Sequence, residues 1–207
     1  MEDKKVEYRQ LIKRLYKKIA EIKNPKWKKQ SRDILDELNN SIHGVYIKAI
    51  TDQKTGLYNN YFFETVLDRE LERARRLNHP VCLFILDIDH FKKINDTHGH
   101  IKADEMLKRL STIVMKNTRS FDTVARFGGE EFIILFPETS LRKAKQITNR
   151  IRLAIKEDIF LKQYGLTISG GLTKFHEEDN SQSIKIRADQ GLNKAKNSGR
   201  DKFIVMK

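Results

Sequence analysis

Residues 81–89 read VCLFILDID and residues 123–136 read TVARFGGEEFIILF, and these two stretches decide the fold. The first is an apolar run from Val81 to Leu86, closed by Asp87, Ile88 and Asp89. Hydrophobicity unbroken by polar alternation marks a strand buried on both faces. The second holds two β-rich runs, Thr123–Phe127 and Phe132–Phe136, separated by Gly128-Gly129-Glu130-Glu131, a hairpin signal whose turn carries its acids beyond the sheet. Working outward, Phe62, Val66, Leu71, Ala74 and Leu77 recur at helical spacing until Asn78-His79-Pro80 stops them. Ile94–Asn117 is mostly helical, Ser140 caps a helix to about Lys156, and Ser183–Lys196 is another. Leu166–Thr173 and Lys202–Met206 read as strands. Strands alternating with helices, plus one hairpin, predict a central mixed sheet with helices packed on it.

Residues 1–50 form a separate extension ahead of the domain at 51–207. Tyr8, Ile12, Leu15, Ile19 and Ile22 lie on one helical stripe; Pro25 interrupts it, and a second stripe runs through Leu35, Leu38, Ile42, Val45 and Ala49. Two helices packed as an antiparallel hairpin and a dimerising coiled coil both fit this pattern. Trp27, among Lys26, Lys28 and Lys29, is expected as a half-buried anchor of the hairpin.

The chain has 207 residues, 41 Lys and Arg against 28 Asp and Glu, and a formal charge of +13, which favours anionic partners. Charge is spread evenly along the chain and no recognition motif accompanies it, so a nucleic-acid partner is not expected. The single cysteine, Cys82, excludes an intramolecular disulfide and reads as a core residue. No apolar run is long enough to span a membrane and the N-terminus is charged, which together predict a cytoplasmic protein.

Asp87 and Asp89 end an apolar run, where carboxylates need a hydrogen bond, a partner charge or a cation. If the hairpin neighbours that strand, Glu130 and Glu131 reach the same edge, and three or four converging acids would hold a hard ion such as Mg²⁺. Solvated strand ends are the plainer alternative. Immediately after, His90-Phe91-Lys92-Lys93-Ile94-Asn95-Asp96 offers backbone N–H groups and lysines for a polyphosphate. Metal-binding and anion-binding groups side by side suggest nucleoside triphosphate chemistry. His98 and His100 lack companions at zinc-ligand spacing and are expected to serve loop packing.

Arg126-Phe127-Gly128-Gly129-Glu130-Glu131-Phe132 resembles the signature of the GGDEF family of diguanylate cyclases, in its GGEEF form. It sits between Leu86-Asp87-Ile88-Asp89-His90-Phe91-Lys92-Lys93-Ile94-Asn95-Asp96 and Ala195-Lys196-Asn197-Ser198-Gly199-Arg200, which resemble that family's other signature segments in order and spacing. The resemblance covers about residues 50–207. It implies an α+β palm-type fold with a mainly antiparallel sheet, and condensation of two GTP into cyclic di-GMP with release of two pyrophosphates across a homodimer. It further implies that Asp87, Glu130 and the Ile88 carbonyl ligate Mg²⁺ or Mn²⁺, with Glu131 completing the acidic cluster. Asn95 and Asp104 would bind guanine. Lys92 and Lys196, with the N–H groups around His90 and Phe91 and support from Arg200, would bind the triphosphate. Arg119 and Asp122 match an RxxD site at which cyclic di-GMP inhibits, with Arg73 and Arg150 where a second protomer's arginines complete it.

The chain also departs from the family pattern. Ala103 stands for the usual Gly before the guanine-binding Asp; it would be strained if φ were positive there, and would change little if the position needs only a small side chain. Asn193 replaces a Tyr, and with Gly191 nearby predicts a looser last helix. Lys54 and Asn60 replace the usual Leu and Arg of the opening segment. No catalytic carboxylate is lost, so activity is expected, at either a full or a reduced level. The alternatives are a non-catalytic cyclic di-GMP receptor using the Arg119 site, or a synthase that also accepts ATP.

Overall fold

The computed structural model describes residues 2–207, with residues 2–6 and 9 described by their backbone alone. The chain forms two compact units that divide between Ala49 and Ile50.

The first unit is a pair of helices, α1 (Glu2–Ala20) and α2 (Pro25–Ile50). Pro25 opens α2 where no intrahelical N–H is needed, and the Asn24 side chain accepts from the N–H groups of Lys26 (3.0 Å) and Trp27 (3.2 Å). The Tyr8 hydroxyl donates to Asn39 at 2.9 Å and the Tyr16 hydroxyl to Asp36, so α2 runs back along α1. The α1 stripe is half-buried. On α2, Leu35 is buried, while Leu38 (52% exposed), Ile42 and Val45 (69%) are open on the described surface. Trp27, in the first turn of α2, is 68% exposed and so is not the half-buried anchor expected of it.

The second unit is built on six strands: β1 (Tyr58–Asn59), β2 (Cys82–Ile88), β3 (Thr123–Gly128), β4 (Glu131–Phe136), β5 (Ile168–Lys174) and β6 (Phe203–Met206). They are ordered β1-β3-β4-β2-β5-β6. The three central pairings are antiparallel and the two outer ones, β1 with β3 and β5 with β6, are parallel. All seven residues of β2 are buried: its apolar run to Leu86, as a strand between two layers requires, and Asp87 and Ile88 after it. Strand alternation then divides the core. Phe84, Leu86, Phe132, Ile134 and Leu172 face α4 (Phe91–Lys116) and α5 (Leu141–Glu157), whereas Leu83, Ile85, Ile133 and Leu135 face α3 (Asn60–Leu77) and α7 (Ser181–Asn197). This is a mixed α+β architecture, a mainly antiparallel sheet between two helical layers, as the sequence predicts.

Two elements escape sequence reading. β1 is two residues long and shows no periodicity; α6 (Ile159–Lys162) is a single turn capped by Asp158. Of the departures in sequence, Ala103 takes its unstrained reading and the expectation for α7 needs correction. Ala103 lies inside α4, where Gly99 (φ 79°, ψ 161°) is the one non-helical residue, so Ala103 is buried and unstrained. Gly191 does not loosen α7. A Cβ on it would lie 2.9 Å from the Gly171 Cα, so the two glycines let helix and strand meet backbone to backbone.

Candidate active site

Antiparallel register places Asp87 of β2 directly across from Glu131 of β4, one step before the turn at Gly129 and Glu130. Both acids follow the odd-numbered face toward α7, which supplies Lys196: its ammonium donates to Asp87 Oδ1 at 2.9 Å. The Ile88 N–H donates to the Glu130 carbonyl at 3.4 Å, tying the hairpin tip to the end of β2. Burial pushes the Asp87 carboxyl up to about 6; Lys196 opposes this, and Glu130 and Glu131 reinforce it. Glu131 is raised as well, by burial first, then Asp189 and Glu130, against Lys196. Lys196 thus only partly offsets the loss of solvent around the two carboxylates.

Asp89 does not join this cluster. Its carboxylate accepts from the hydroxyls of Thr167 and Ser169, each at 2.7 Å, and from the Asp201 N–H at 3.1 Å. These bonds tie the end of β2 to β5 and to the turn at 199–201, so Asp89 is a structural brace. Among the described residues no three His, Cys, Asp or Glu side chains gather closely enough to hold a metal by themselves. The donor set nevertheless suits a hard cation: Asp87, Glu130 and the Ile88 carbonyl are all oxygen donors, and substrate phosphate would complete the shell.

His90 (φ 57°, ψ 30°) turns the chain sharply from β2 into α4. The first N–H groups of α4, from Phe91 and Lys92 onward, have no intrahelical acceptor and are of the kind that can receive an anion. Asn95 sits one turn into this helix, and its Oδ1 is buried with no hydrogen-bond donor. Beyond the Gly99 break, Asp104 receives the Lys54 ammonium at 2.8 Å. After α7, Gly199, Arg200 and Asp201 all have positive φ, and the Arg200 N–H returns to the Ala195 carbonyl at 3.1 Å, holding half-buried Arg200 close to Lys196 in the chain.

Two residues that position the site had no role assigned from sequence. Arg126 donates through Nε (2.9 Å) and Nη2 (2.6 Å) to the Gly129 carbonyl at the hairpin tip, and through Nη1 to Asp52 at 3.2 Å. Asp52 in turn accepts from the Thr55 N–H (2.8 Å) and hydroxyl (2.7 Å). An arginine three residues before a carbonyl it can clamp is a signal only once the hairpin register is known.

At the RxxD segment, Asp122 is buried and its Oδ2 accepts from the Arg119 N–H at 2.7 Å, while its Oδ1 has no partner. Burial raises this carboxyl and Arg119 opposes the rise. The Arg119 guanidinium lies 5.5 Å from the exposed Phe121 ring. Arg150 joins the neighbourhood by donating to the Asn117 carbonyl at 2.7 Å. Arg73 is instead paired with Glu138 at 2.8 Å and Glu70 at 3.6 Å. His98 packs edge-on against Tyr164. Cys82 is buried with its thiol raised to about 12 by desolvation, an inert core residue.

Acids at the ends of two central strands, with a lysine from the last helix among them, on a mixed sheet covered by helices on both faces, define an α+β domain of palm type. The chain belongs to the family described as diguanylate cyclase, GGDEF domain, whose model matches residues 49–202. It is 41% identical over 161 residues to diguanylate cyclase DgcP of Pseudomonas aeruginosa, an alignment covering 76% of this chain and 24% of DgcP. It spans less than half the length of this and other curated relatives. Among solved structures, the coiled coil and GGDEF domain of DgcB from Caulobacter crescentus, in complex with c-di-GMP, matches with a TM-score of 0.80 and 27% identity, covering 85% of this chain and 95% of that one. The active GGEEF domain of a diguanylate cyclase from Vibrio cholerae matches with a TM-score of 0.68 and 32% identity, covering 72% and 97%. Among the described residues no helix is long and apolar enough to cross a membrane.

Proposed function

We propose that the protein is a diguanylate cyclase that joins two GTP into cyclic di-GMP and releases two pyrophosphates. The observation that carries this reading is the register of Asp87 with Glu131, with Glu130 on the tip beside them, at the sheet edge from which α4 departs. Asn95 and Asp104 hold guanine: the unpartnered Asn95 Oδ1 needs a donor, and a carboxylate matches the N1–H and N2–H₂ pair that adenine lacks. Lys92 and the N–H groups around His90 and Phe91 hold the triphosphate, with Arg200 in support. Lys196 is the site's resident cation; with a triphosphate present its ammonium exchanges Asp87 for phosphate oxygen. Mg²⁺ or Mn²⁺, held by Asp87, Glu130 and the Ile88 carbonyl, would neutralise the oxygens on the attacking and leaving sides as the 3′-hydroxyl displaces pyrophosphate.

One domain holds one GTP, so closing the ring needs two protomers face to face. The open Leu38, Ile42 and Val45 on α2 support a homodimer, and sedimentation tests it: a strictly monomeric chain with full turnover removes this step. Chromatography of GTP incubated with the protein and Mg²⁺ tests the reaction, and absence of cyclic di-GMP overturns the assignment. A receptor that only binds product would have no use for the Asp87–Glu131 pair.

Product returns to Arg119 and Asp122, where a guanidinium pairs with guanine or phosphate and the unpartnered Asp122 Oδ1 accepts from the base. Arg119→Ala is expected to remove inhibition by added cyclic di-GMP while initial rates stay within about twofold; retained inhibition in that variant would place the inhibitory site elsewhere.

Asp87 also sets a pH dependence in the protein free of nucleotide. Its folded pKa of about 6 exceeds the ordinary 3.8, so the folded state holds the proton more tightly. The cost to stability is absent below about pH 4, grows as pH rises through 6 and is complete above. Asp87→Asn removes a cost of about 1–3 kcal/mol at pH 8. Thermal melts should show its midpoint higher by several degrees at pH 8 and matching the parent near pH 4; a gain independent of pH would refute this.

A further inference from the structure

We propose that Lys54 is a specificity-determining residue of the guanine site, donating to the O6 of the bound base. The proposal rests on the reading of Asp104 as the group that binds guanine. Lys54 Nζ lies 2.8 Å from Asp104 Oδ1. The loop that carries it is fixed at both ends. Asp52 accepts from Thr55 and is held by Arg126, the Asp52 N–H donates to the Leu57 carbonyl at 2.8 Å, and the Ser111 hydroxyl of α4 donates to the Thr55 carbonyl at 3.2 Å. The loop is thus tied to the helix that bears Asp104.

Guanine presents three groups in a row on its pairing edge: the N2–H₂ donor, the N1–H donor and the O6 acceptor. A carboxylate accepts the first two and can do nothing with the third. It has about four lone-pair positions, so Asp104 can keep its lysine while it receives the base. A cation already bonded to the oxygen that takes N1–H stands beside O6, the neighbouring atom of the ring edge. Adenine places an N6–H₂ donor there, which an ammonium repels. Asp104 and Lys54 together therefore read the whole edge, where Asp104 alone would read two-thirds of it. An ion pair with partners 53% and 35% exposed contributes little to folding, so a substitution at Lys54 reports on ligand binding.

The test uses Lys54→Leu in the full chain and calorimetry with the α,β-methylene triphosphates of guanosine, inosine and 6-thioguanosine. Guanosine and inosine carry O6; 6-thioguanosine keeps N1–H and the 2-amino group and replaces O6 by a poorly accepting sulfur. Lys54→Leu is expected to weaken binding of the first two by about tenfold, the scale of a charged hydrogen bond, and to change the third by less than about twofold. Lys54→Arg should recover most of the loss. An equal loss for all three would show only the removal of a general positive charge and overturns the proposal. Unchanged or tighter guanosine binding would mean that Lys54 merely competes with the base for Asp104, which overturns it too. Asp104→Ala separates the two readings. If it weakens guanosine binding while Lys54→Leu does not, the Lys54 role alone fails; if it has no effect, guanine recognition at Asp104 fails and takes this assignment with it.

Discussion

Glu130→Gln is expected to lower cyclic di-GMP formation by at least about 10³-fold, some 4 kcal/mol of transition-state stabilisation, with the melting curve unchanged. The side chain stands on the hairpin tip, half-buried, and the backbone carbonyl of Glu130 makes the bond to Ile88, so the fold does not depend on its carboxylate. Glutamine keeps the shape and removes the charge that the reacting phosphates' counter-ion needs. Quantified product from GTP with Mg²⁺, for variant and parent at matched concentration, decides the matter. A variant that retains even a tenth of parental turnover would remove Glu130 from the reacting centre.

Gly171→Ala should be the most damaging single methyl group in the molecule. A Cβ at this position would meet the Ala188 carbonyl at 1.9 Å and the Leu192 nitrogen at 2.5 Å, both backbone atoms of α7 that no rotamer change can move. Helix and strand would have to separate, opening the core layer that includes Ile184, Ala188 and Leu192 and shifting Lys196 on the same helix. A loss above about 4 kcal/mol is expected, enough to leave most of the chain unfolded or insoluble. Denaturant unfolding of any soluble fraction measures it, and a midpoint within experimental error of the parent would contradict the packing described for α7 on β5.

Much of the domain could be read residue by residue before any coordinates. The apolar run of β2, from Cys82 to Leu86, has no polar position to turn outward, so it must lie between two layers, and glycines flanked by β-branched and aromatic runs must turn. The Ser140 cap and the Asn78 stop of α3 also fall where their chemistry places them: the Ser140 side chain accepts from the Lys143 N–H, and Asn78 is left-handed (φ 51°). The acids were legible as candidates because carboxylates rarely end an apolar run without purpose.

Which of those acids face one another was a different kind of question. Asp87 and Asp89 are indistinguishable in the string, both ending the same run, yet one meets Glu131 and Lys196 while the other is absorbed by Thr167, Ser169 and the Asp201 N–H. Lys54 and Asp104 are fifty residues apart and nothing local links them. The chain alone determined its elements, because periodicity, turn chemistry and capping act between residues a few positions apart. Tertiary structure alone decided which carboxylates remain available, which glycine meets another backbone and which lysine pairs with Asp104, because those depend on register and close approach between segments far apart in the chain.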